Sequence, residues 1–537
     1  MKRCLAPQKC QASFINFKAT TDQSGYNTLT SMDLSDKNIH KLAEGAGFGL
    51  VGKFLGRFLG MVGDIVAARM LGPAIFGLYS IGWTLFRLME IIAPLGLDRG
   101  VLHFIPRFDD KDQAGLKGTI FSSLGLSLFF GVTLGLIVYV VAPWLANSIF
   151  MKPELLFILR FFAFGFPVGA LLPVIASITR ANHTVKYAVL VQDIGQPLLS
   201  LFLLTTFYLY GKRLIGVLYA DILSYALAVV WGLLYVRRLY PAIFNSKLIA
   251  RQVRSELLKY SIPVAIGGLF GALIYWVDRL FVGYYRTDVE TGIYQAASQV
   301  SLIFAVVLSG LSTVLAPQFS NLHHQNNVIG LRQAYSIGNK WGLYIGLPII
   351  SIVMIAPERI LTVLYGVEYS QGWPSMLILL FGQVINLAAG ASAPLMVMAG
   401  GQNTWFILTI IAFGLDLLLN YLLTPMLGII GAALATSSSV SFLFISVLFA
   451  ARWKFHIWPY DKRYIKGLIA IVAAWIVSWL AGKLLLPELS ILVIQVIASI
   501  FTFGLVLMIL KLDSEDLVFI SLVRSYLIKI IGHKREI

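Results

Sequence analysis

Long apolar runs recur along nearly the whole chain after residue 45, and this repetition constrains the fold more than any other feature. Many of the runs reach the roughly 20 residues that an α-helix needs to cross the hydrocarbon layer of a membrane. Inside lipid the backbone must satisfy its own hydrogen bonds, so such runs are expected to be helical. Only 13% of the residues are charged, whereas soluble domains have about 25%. The sequence therefore predicts an all-α, polytopic membrane protein.

We predict about 14 transmembrane helices, which form two pseudo-symmetric six-helix lobes followed by two C-terminal helices. The predicted spans are 46–70, 74–98, 118–142, 154–178, 187–209, 214–236, 261–285, 293–317, 337–357, 372–399, 404–424, 430–451, 464–486 and 489–510. The predicted domains are a disordered cytoplasmic tail (1–45), an N-lobe (46–238), an amphipathic cytoplasmic linker (239–260), a C-lobe (261–455), helices 13 and 14 (464–510) and an amphipathic cytoplasmic tail (511–537).

Lysine and arginine are distributed unevenly between the two sides of this predicted topology. With the N-terminus inside, 30 of the 42 fall on the cytoplasmic side, 7 fall outside and 5 lie within the membrane. This agrees with the positive-inside rule, so we expect a cytoplasmic-membrane protein with both termini in the cytoplasm. The net charge of +16 reflects this asymmetry, and no nucleic-acid partner is expected.

An internal repeat relates the two predicted lobes. Three pairs of matching positions are separated by 214, 215 and 220 residues, namely Asp64 and Asp278, Gly77 and Gly292, and Thr184 and Thr404. Because six helices, an even number, separate the copies, both halves enter the membrane from the same side. Transporters with such parallel repeats bind substrate between the halves, so the repeat indicates transport.

Predicted helix 1 has three charged residues on one face, because Lys53, Arg57 and Asp64 are spaced by four and seven residues. Arg57 lies roughly 16 Å into the helix at about 1.5 Å per residue. A charge at that depth costs at least about 2.5–3.5 kcal/mol. Arg57 therefore faces either a wet cavity or an ion-pair partner such as Asp64 or Glu90.

The charges within the other predicted spans favour an anionic ligand, because guanidinium groups match phosphate oxygens. Arg87 and Glu90 are three residues apart and can pair. An exporter of hydrophobic cations would instead favour buried acids and aromatic rings. We assign Lys53, Arg57, Arg87 and Arg279 to a substrate-binding cavity, and Asp64, Glu90, Asp278 and Asp416 to cation coupling or ion pairing.

The sequence has no motif of a soluble enzyme. It contains no phosphate-binding P-loop, no H-E-x-x-H motif and no Cys/His cluster with metal-ligand spacing. Its two cysteines, Cys4 and Cys10, both lie in the polar N-terminal segment. We therefore expect no catalytic residue, no metal and no cofactor.

Three segments resemble signatures of bacterial and archaeal polysaccharide flippases. They read R-M-L-G-P-A-I-F-G-L-Y-S from Arg69, D-R-L-F-V-G from Asp278, and N-Y-L-L-T-P-M-L-G-I-I-G-A-A-L-A-T from Asn420. By the order and spacing of these segments, the chain resembles the O-antigen and capsule flippases of the multidrug/oligosaccharidyl-lipid/polysaccharide exporter superfamily.

The resemblance implies two lobes that open alternately to each side of the membrane. It implies a polyprenyl-diphosphate-linked oligosaccharide as substrate, with Arg57 and Arg279 at positions of cavity arginines. Membrane lipids, a glycan polymerase and a ligase are candidate partners. Two alternatives stay open: a cation-coupled multidrug antiporter of the same superfamily, and a non-transporting scaffold of a glycan-assembly complex.

Overall fold

The computed structural model describes residues 37–108, 112–182, 185–245, 248–484 and 486–511, together with Asp513 and Asp516. Within these ranges every regular element is a helix and no strand is present. The predicted all-α fold is therefore confirmed.

The helices of the N-terminal half, before residue 246, are α1 (Lys37–Ile92), α2 (Leu97–Phe104), α3 (Gln113–Trp144), α4 (Leu155–Ala181), α5 (Val185–Ala188), α6 (Gln196–Leu209) and α7 (Leu214–Leu239). Two 3-10 turns, Ile105–Arg107 and Pro241–Phe244, and two π-helical segments, Leu145–Ile149 and Val189–Gly195, complete this half.

The helices of the C-terminal half, from residue 248, are α8 (Arg254–Leu273), α9 (Val277–Tyr285), α10 (Asp288–Leu302), α11 (Phe304–His324), α12 (Val328–Ile355), α13 (Pro357–Leu364), α14 (Trp373–Ala389), α15 (Ser392–Met398), α16 (Gln402–Leu427), α17 (Ile429–Phe455), α18 (Tyr464–Ala481) and α19 (Glu488–Ile509). A 3-10 turn, Val367–Gly372, precedes α14.

Among the described residues, 12 helical stretches are long and apolar enough to cross a membrane, so the chain is a multi-pass membrane protein. The first, Val51–Arg107, has 57 residues. At 1.5 Å per residue it would extend about 85 Å, more than twice the ~30 Å hydrocarbon core. A break at Gly72, whose φ is +72°, divides it where the turn between helices 1 and 2 is predicted. The count of 14 spans and the two-lobe layout stay predictions.

The boundaries of several elements differ from the predicted ones. α1 begins at Lys37 instead of residue 46, because the residues added, among them Leu42 and Ala43, favour helix. Residues 1–36 of the predicted tail lie outside the described part of the chain. Predicted helix 2 ends at Ile92 instead of residue 98, because Pro94 disfavours helix at the residue before it and Gly96 follows with a φ of +73°.

The amphipathic linker over 239–260 stays a prediction, and the described structure gives part of its backbone. Its first part forms the 3-10 turn Pro241–Phe244, and its last residues belong to α8, which begins at Arg254. Most of the predicted C-terminal tail lies outside the described residues, except for Lys511, Asp513 and Asp516.

Neighbouring helices pack closely within each half of the sequence. α4 packs against α3 and α7, α17 packs against α14 and α16, and α18 packs against α12 and α19. On α3, a Cβ at Gly131 would lie 2.9 Å from the backbone of Pro167, and one at Gly135 would lie 2.7 Å from the carbonyl oxygen of Ala163. Small residues thus let the helix backbones approach one another, as expected where helices associate within lipid.

Candidate functional site: a charged cavity

A cavity of about 510 Å³ lies mainly within the N-terminal half. Its walls come from α1, α4, α6 and α7, the π-helical segment Val189–Gly195, and three residues of the C-terminal half, Trp276, Gln299 and Ile303. The charged residues of the wall are Lys53, Arg57, Asp64, Arg87, Glu90, Asp193 and Asp221. The structure thus brings together three predicted substrate-binding residues and two of the predicted acids.

Lys53 and Arg57 are the cavity cations that no described residue holds by a hydrogen bond, although Asp64 acts electrostatically on Arg57 and Asp193 on Lys53. Both side chains are exposed and line the cavity. Neither forms a hydrogen bond or ion pair with a residue in the described part of the chain. A charged group within a membrane protein requires a partner or water, so Arg57 is available to an anionic ligand.

Arg87 also faces the cavity, but protein groups hold it in place. Its Nη1 donates hydrogen bonds to Glu90 Oε2 at 2.7 Å and to the Tyr225 hydroxyl at 2.7 Å. The guanidinium carbon lies 4.7 Å from the ring centre of Trp83, within the range of a cation–π interaction. Its Nε has no hydrogen-bond partner among the described residues. The predicted Arg87–Glu90 pair is therefore present, and one donor of the guanidinium is left over.

The acids of the wall outnumber its cations, four to three, so the cavity is not cationic by formal count. Each of the four acids has a protein partner. Asp221 accepts hydrogen bonds from the Tyr79 hydroxyl at 2.8 Å and from Ser200 Oγ at 3.2 Å. Asp64 accepts one from the Gln299 amide.

The other two acids are paired with arginines. Asp193 lies 3.9 Å from Arg180, and Glu90 is held by Arg87. Lys53 and Arg57 have no such hydrogen-bonded partner among the described residues, so they are the cations of the wall that remain available to an anionic ligand.

Arg279 and Asp278 lie outside the cavity wall. The Arg279 side chain is only 1% exposed. It donates to Gln295 Oε1 at 2.5 Å, to Ser298 Oγ at 2.8 Å and to the Tyr275 carbonyl. Asp278 accepts a hydrogen bond from the Tyr294 hydroxyl at 2.6 Å. Arg279 would have to leave these partners to touch a substrate, so its contacts favour a structural role.

Asp416 is fully buried in α16, away from the cavity wall. Neither of its carboxyl oxygens accepts a hydrogen bond from a described residue. A buried acid without such bonds is costly unless it is protonated or binds a cation. Its assignment to cation coupling stays a prediction.

The sequence analysis did not identify several polar and aromatic residues of the wall. On α1, Tyr79, Trp83 and Arg87 follow one another at intervals of four. Residues four apart share one helix face. Applying to predicted helix 2 the face analysis used for helix 1 would therefore have found them. The residues Gln192, Gln196 and Ser200 show the same spacing.

Near Gly72, contacts between the two halves close one end of the molecule. Lys152 Nζ lies 2.7 Å from Asp288 Oδ1 and donates to the Arg286 carbonyl at 3.0 Å. The Tyr369 hydroxyl donates to the Ala68 carbonyl at 2.8 Å. Arg69 Nε donates to the Leu364 carbonyl at 2.8 Å.

Backbone also meets backbone at this end. A Cβ on Gly77 would overlap the carbonyl oxygen of Asp288, and one on Gly292 would overlap that of Pro73. Only glycine allows this approach, and the two glycines are matching positions of the internal repeat. We call the following residues the seal: Arg69, Gly77, Lys152, Asp288, Gly292 and Tyr369.

Two family models match the chain. The model described as polysaccharide biosynthesis protein matches residues 42–323, more than half of the sequence. The chain belongs to this polysaccharide biosynthesis protein family. A second model, MatE, matches residues 263–422. The resemblance to polysaccharide flippases of the multidrug/oligosaccharidyl-lipid/polysaccharide exporter superfamily is thereby confirmed.

Two relatives of this family member are archaeal proteins. An uncharacterized membrane protein of Methanocaldococcus jannaschii is 23% identical over 87% of the chain and 93% of its own length. A protein of Haloferax volcanii named as a probable low-salt glycan biosynthesis flippase, Agl15, is 26% identical over 34% of the chain and 38% of its own length.

Among solved structures, the lipid II flippase MurJ in an inward closed conformation is similar in fold. It superposes with a TM-score of 0.70 at 16% identity, over 87% of this chain and 99% of that one. The family match and the shared fold together support a flippase-like membrane transporter.

Proposed function

We propose that this family member flips a polyprenyl-diphosphate-linked oligosaccharide from the inner to the outer leaflet of the cytoplasmic membrane by alternating access, for cell-surface polysaccharide biosynthesis. The observation that carries the proposal is the Arg57 guanidinium, which is exposed in a cavity of about 510 Å³ without a partner among the described residues. Lys53 and the guanidinium of Arg87, whose side chain is 32% exposed, lie on the same wall. Together they supply donors of the kind that bind diphosphate oxygens.

The cavity would lower the main barrier to moving such a lipid. Each sugar hydroxyl or phosphate that enters hydrocarbon without a hydrogen bond costs several kcal/mol. In the proposed mechanism the head group stays in the wet cavity while the polyprenyl chain stays in lipid. Amide and aromatic groups of the wall, such as Gln192 and Trp83, provide further contacts for sugars.

The seal gives the proposed cycle a direction. The positive-inside count predicts that the Gly72 end faces outward. A closed outer end, with Arg57 exposed in the cavity, fits a state that receives substrate from the cytoplasm. In the proposed next state the seal opens and the head group leaves on the outer side.

The experiment is a flipping assay in proteoliposomes that contain a fluorophore-labelled polyprenyl-diphosphate sugar, with dithionite added outside to quench exposed label. The wild-type protein should raise the quenched fraction above that of protein-free liposomes. Arg57→Ala should abolish this increase but insert into the membrane normally. Arg359→Ala, which removes an arginine that does not line the cavity, should flip normally. Wild-type flipping by Arg57→Ala would refute the assigned role.

The MatE match favours one alternative, a cation-coupled multidrug antiporter. Its cationic substrates would need free acids in the cavity, but Asp64, Glu90, Asp193 and Asp221 all have protein partners. A resistance assay in a pump-deficient host decides between the two functions. Drug efflux by the wild-type protein, lost in Asp64→Asn but kept in Arg57→Ala, would favour the antiporter.

The substrate also defines the proposed partners and the proposed coupling. Membrane lipids surround the polyprenyl chain, and a glycan polymerase and a ligase would consume the flipped product. Asp416, a buried acid without hydrogen bonds from described residues, is the proposed site of a coupling cation. Asp416→Asn should slow flipping driven by an ion gradient but leave head-group binding unchanged.

A further inference from the structure

A second chamber of about 410 Å³ adjoins the cavity on the side away from the seal. The two chambers share part of their walls, including Arg57, Arg87 and Trp276. The second chamber adds Arg99 of α2 and a strip of small residues from the helix opposite, Ala265, Gly268 and Ala272 of α8. We call it the inner chamber. A head group that reaches Arg57 through this chamber passes Arg99.

Arg99 is weakly held by the protein. Its side chain is exposed, and its Nη1 donates one long hydrogen bond, 3.4 Å, to the Val264 carbonyl. The guanidinium lies against Gly268, where a Cβ would be 2.9 Å from Nη2. The other N–H groups of the Arg99 guanidinium have no hydrogen-bond partner among the described residues.

The acids of the inner chamber are Glu90 and Asp98. Glu90 is paired with Arg87. Asp98 lies in the first turn of α2, where the dipole of a helix favours a carboxylate. Among the described residues, the two guanidinium groups of this chamber that form no ion pair are therefore Arg57 and Arg99.

We propose that the inner chamber is a second diphosphate-binding subsite, in which Arg99 captures the anionic head group and passes it to Arg57 and Arg87. This inference rests on the proposed function, since it names the route to the same cavity. Two unpaired cations along one path raise the local concentration of an anion and its rate of association. Arg99 then acts on the rate of capture, whereas Arg57 acts on the stability of the bound state.

The test is stopped-flow tryptophan fluorescence of the purified full chain in detergent, since Trp83 and Trp276 line the chambers. The probes are inorganic pyrophosphate and farnesyl diphosphate, which share the diphosphate but differ in the lipid. Arg99→Gln should lower the association rate constant about 10-fold at low salt, with little change in the dissociation rate constant. The loss should disappear near 1 M salt, where the screening length is about 3 Å. Arg99→Lys should restore most of the rate, because it restores the charge.

Arg107→Gln is the matched control. It removes an equal charge just beyond α2, from an exposed side chain that lines neither chamber. Its association rate should be that of the wild-type protein.

The outcomes separate this inference from the proposed function. Wild-type association by Arg99→Gln, an equal loss in Arg107→Gln, or a change confined to dissociation would each overturn the inner subsite while the proposed function stands. Unchanged binding of farnesyl diphosphate by Arg57→Gln would overturn the proposed function itself. Tighter binding of farnesyl diphosphate than of pyrophosphate supports a lipid-linked ligand, and equal binding of both overturns that part of the assignment.

Discussion

Arg57 and Arg87 line the same cavity, but they differ in their hydrogen bonds to the rest of the protein. Arg87 holds Glu90 and the Tyr225 hydroxyl, whereas Arg57 has no partner among the described residues. A side chain that forms no hydrogen bond with the described residues, yet is costly to insert in a membrane, is best explained by a ligand. By the same argument, a structural role is favoured for Arg279, because it donates hydrogen bonds to Gln295 and Ser298.

This difference predicts opposite effects of two matched substitutions. Arg57→Gln should weaken binding of a diphosphate probe about 10- to 100-fold, because hydrogen bonds to charged groups contribute about 1.5–3 kcal/mol. It should leave the unfolding temperature in detergent almost unchanged. Arg87→Gln should weaken binding and also lower the unfolding temperature, because Glu90 loses its partner at a cost of about 1–3 kcal/mol. Calorimetry and thermal unfolding measure the two effects. An equal loss of stability in both variants would contradict the assignment.

At the scale of elements, the seal depends on the absence of side chains where α1 meets α10. Gly77→Ala should lower the free energy of unfolding by about 1–3 kcal/mol, a typical cost of steric overlap in a packed region. The added Cβ would overlap the Asp288 carbonyl oxygen, which is backbone and cannot rotate away. Thermal unfolding in detergent measures the effect.

Gly125→Ala on α3 is the control, because a Cβ there meets nothing within 4 Å. It should stabilise α3 slightly, by up to about 1 kcal/mol. Equal midpoint temperatures of unfolding for Gly77→Ala and Gly125→Ala would show that the backbones of α1 and α10 are not in close contact at Gly77.

Two aspartates that follow α19 form ion pairs with lysines of two other helices. Lys340 of α12 lies 2.6 Å from Asp513 Oδ2 and 2.8 Å from Asp516 Oδ2. Lys466 of α18 lies 2.7 Å from Asp513 Oδ1. Partial burial raises the pKa of Asp513, but the hydrogen bonds from Lys340 and Lys466 outweigh it and hold this pKa below its ordinary value.

A lowered pKa in the folded state stabilises the protein above the ordinary pKa, and this stability is lost as the pH falls through the folded pKa. Asp513→Asn should therefore lower the unfolding temperature at pH 7. The gap to the wild-type protein should begin to close below about pH 4, near the ordinary aspartate pKa. Glu358→Gln, at an exposed carboxylate, serves as control and should differ little from the wild-type protein at either pH. If the difference in unfolding temperature between Asp513→Asn and the wild-type protein stayed constant down to pH 3, the lowered pKa of Asp513 would not be the source of this stability.

For the whole molecule, local chemistry made part of the structure predictable. The all-helical fold follows from run length and hydropathy. The break at Gly72 follows from a glycine before Pro73. The Arg87–Glu90 pair follows from a spacing of three. Lys53, Arg57 and Asp64 share a wall because they share a helix face.

Contacts between distant segments could not be predicted from the same patterns. Asp221 meets Tyr79 across 142 positions, and Lys340 meets Asp516 across 176. Helix periodicity predicts on which side of its own helix a residue lies, but it does not predict which other helix packs against that side. The protein partners of the cavity acids therefore become visible only in the folded chain.

The seal leads to a prediction about the transport cycle as a whole. If the halves must separate at the Gly72 end, then a covalent bridge between residues 152 and 288 should stop flipping but not binding. In Lys152→Cys/Asp288→Cys, introduced after Cys4 and Cys10 are replaced by serine, a short bismaleimide would join the positions that an ion pair joins now. The bridged protein should bind farnesyl diphosphate within about 2-fold of the unbridged protein, or ~0.4 kcal/mol. It should no longer flip the labelled lipid in proteoliposomes.

The same reagent on Arg359→Cys/Glu488→Cys provides the control. This pair is also joined by an ion pair, at 3.1 Å, but both residues belong to the C-terminal half, so a bridge there leaves the two halves free to separate. Flipping should survive in the control and be lost across the seal. Continued flipping by a fully bridged 152–288 protein would mean that substrate leaves without opening this end, and alternating access through the seal would have to be abandoned. Loss of flipping in both bridged proteins would instead place the required movement inside the C-terminal half, because that is where the control bridge acts.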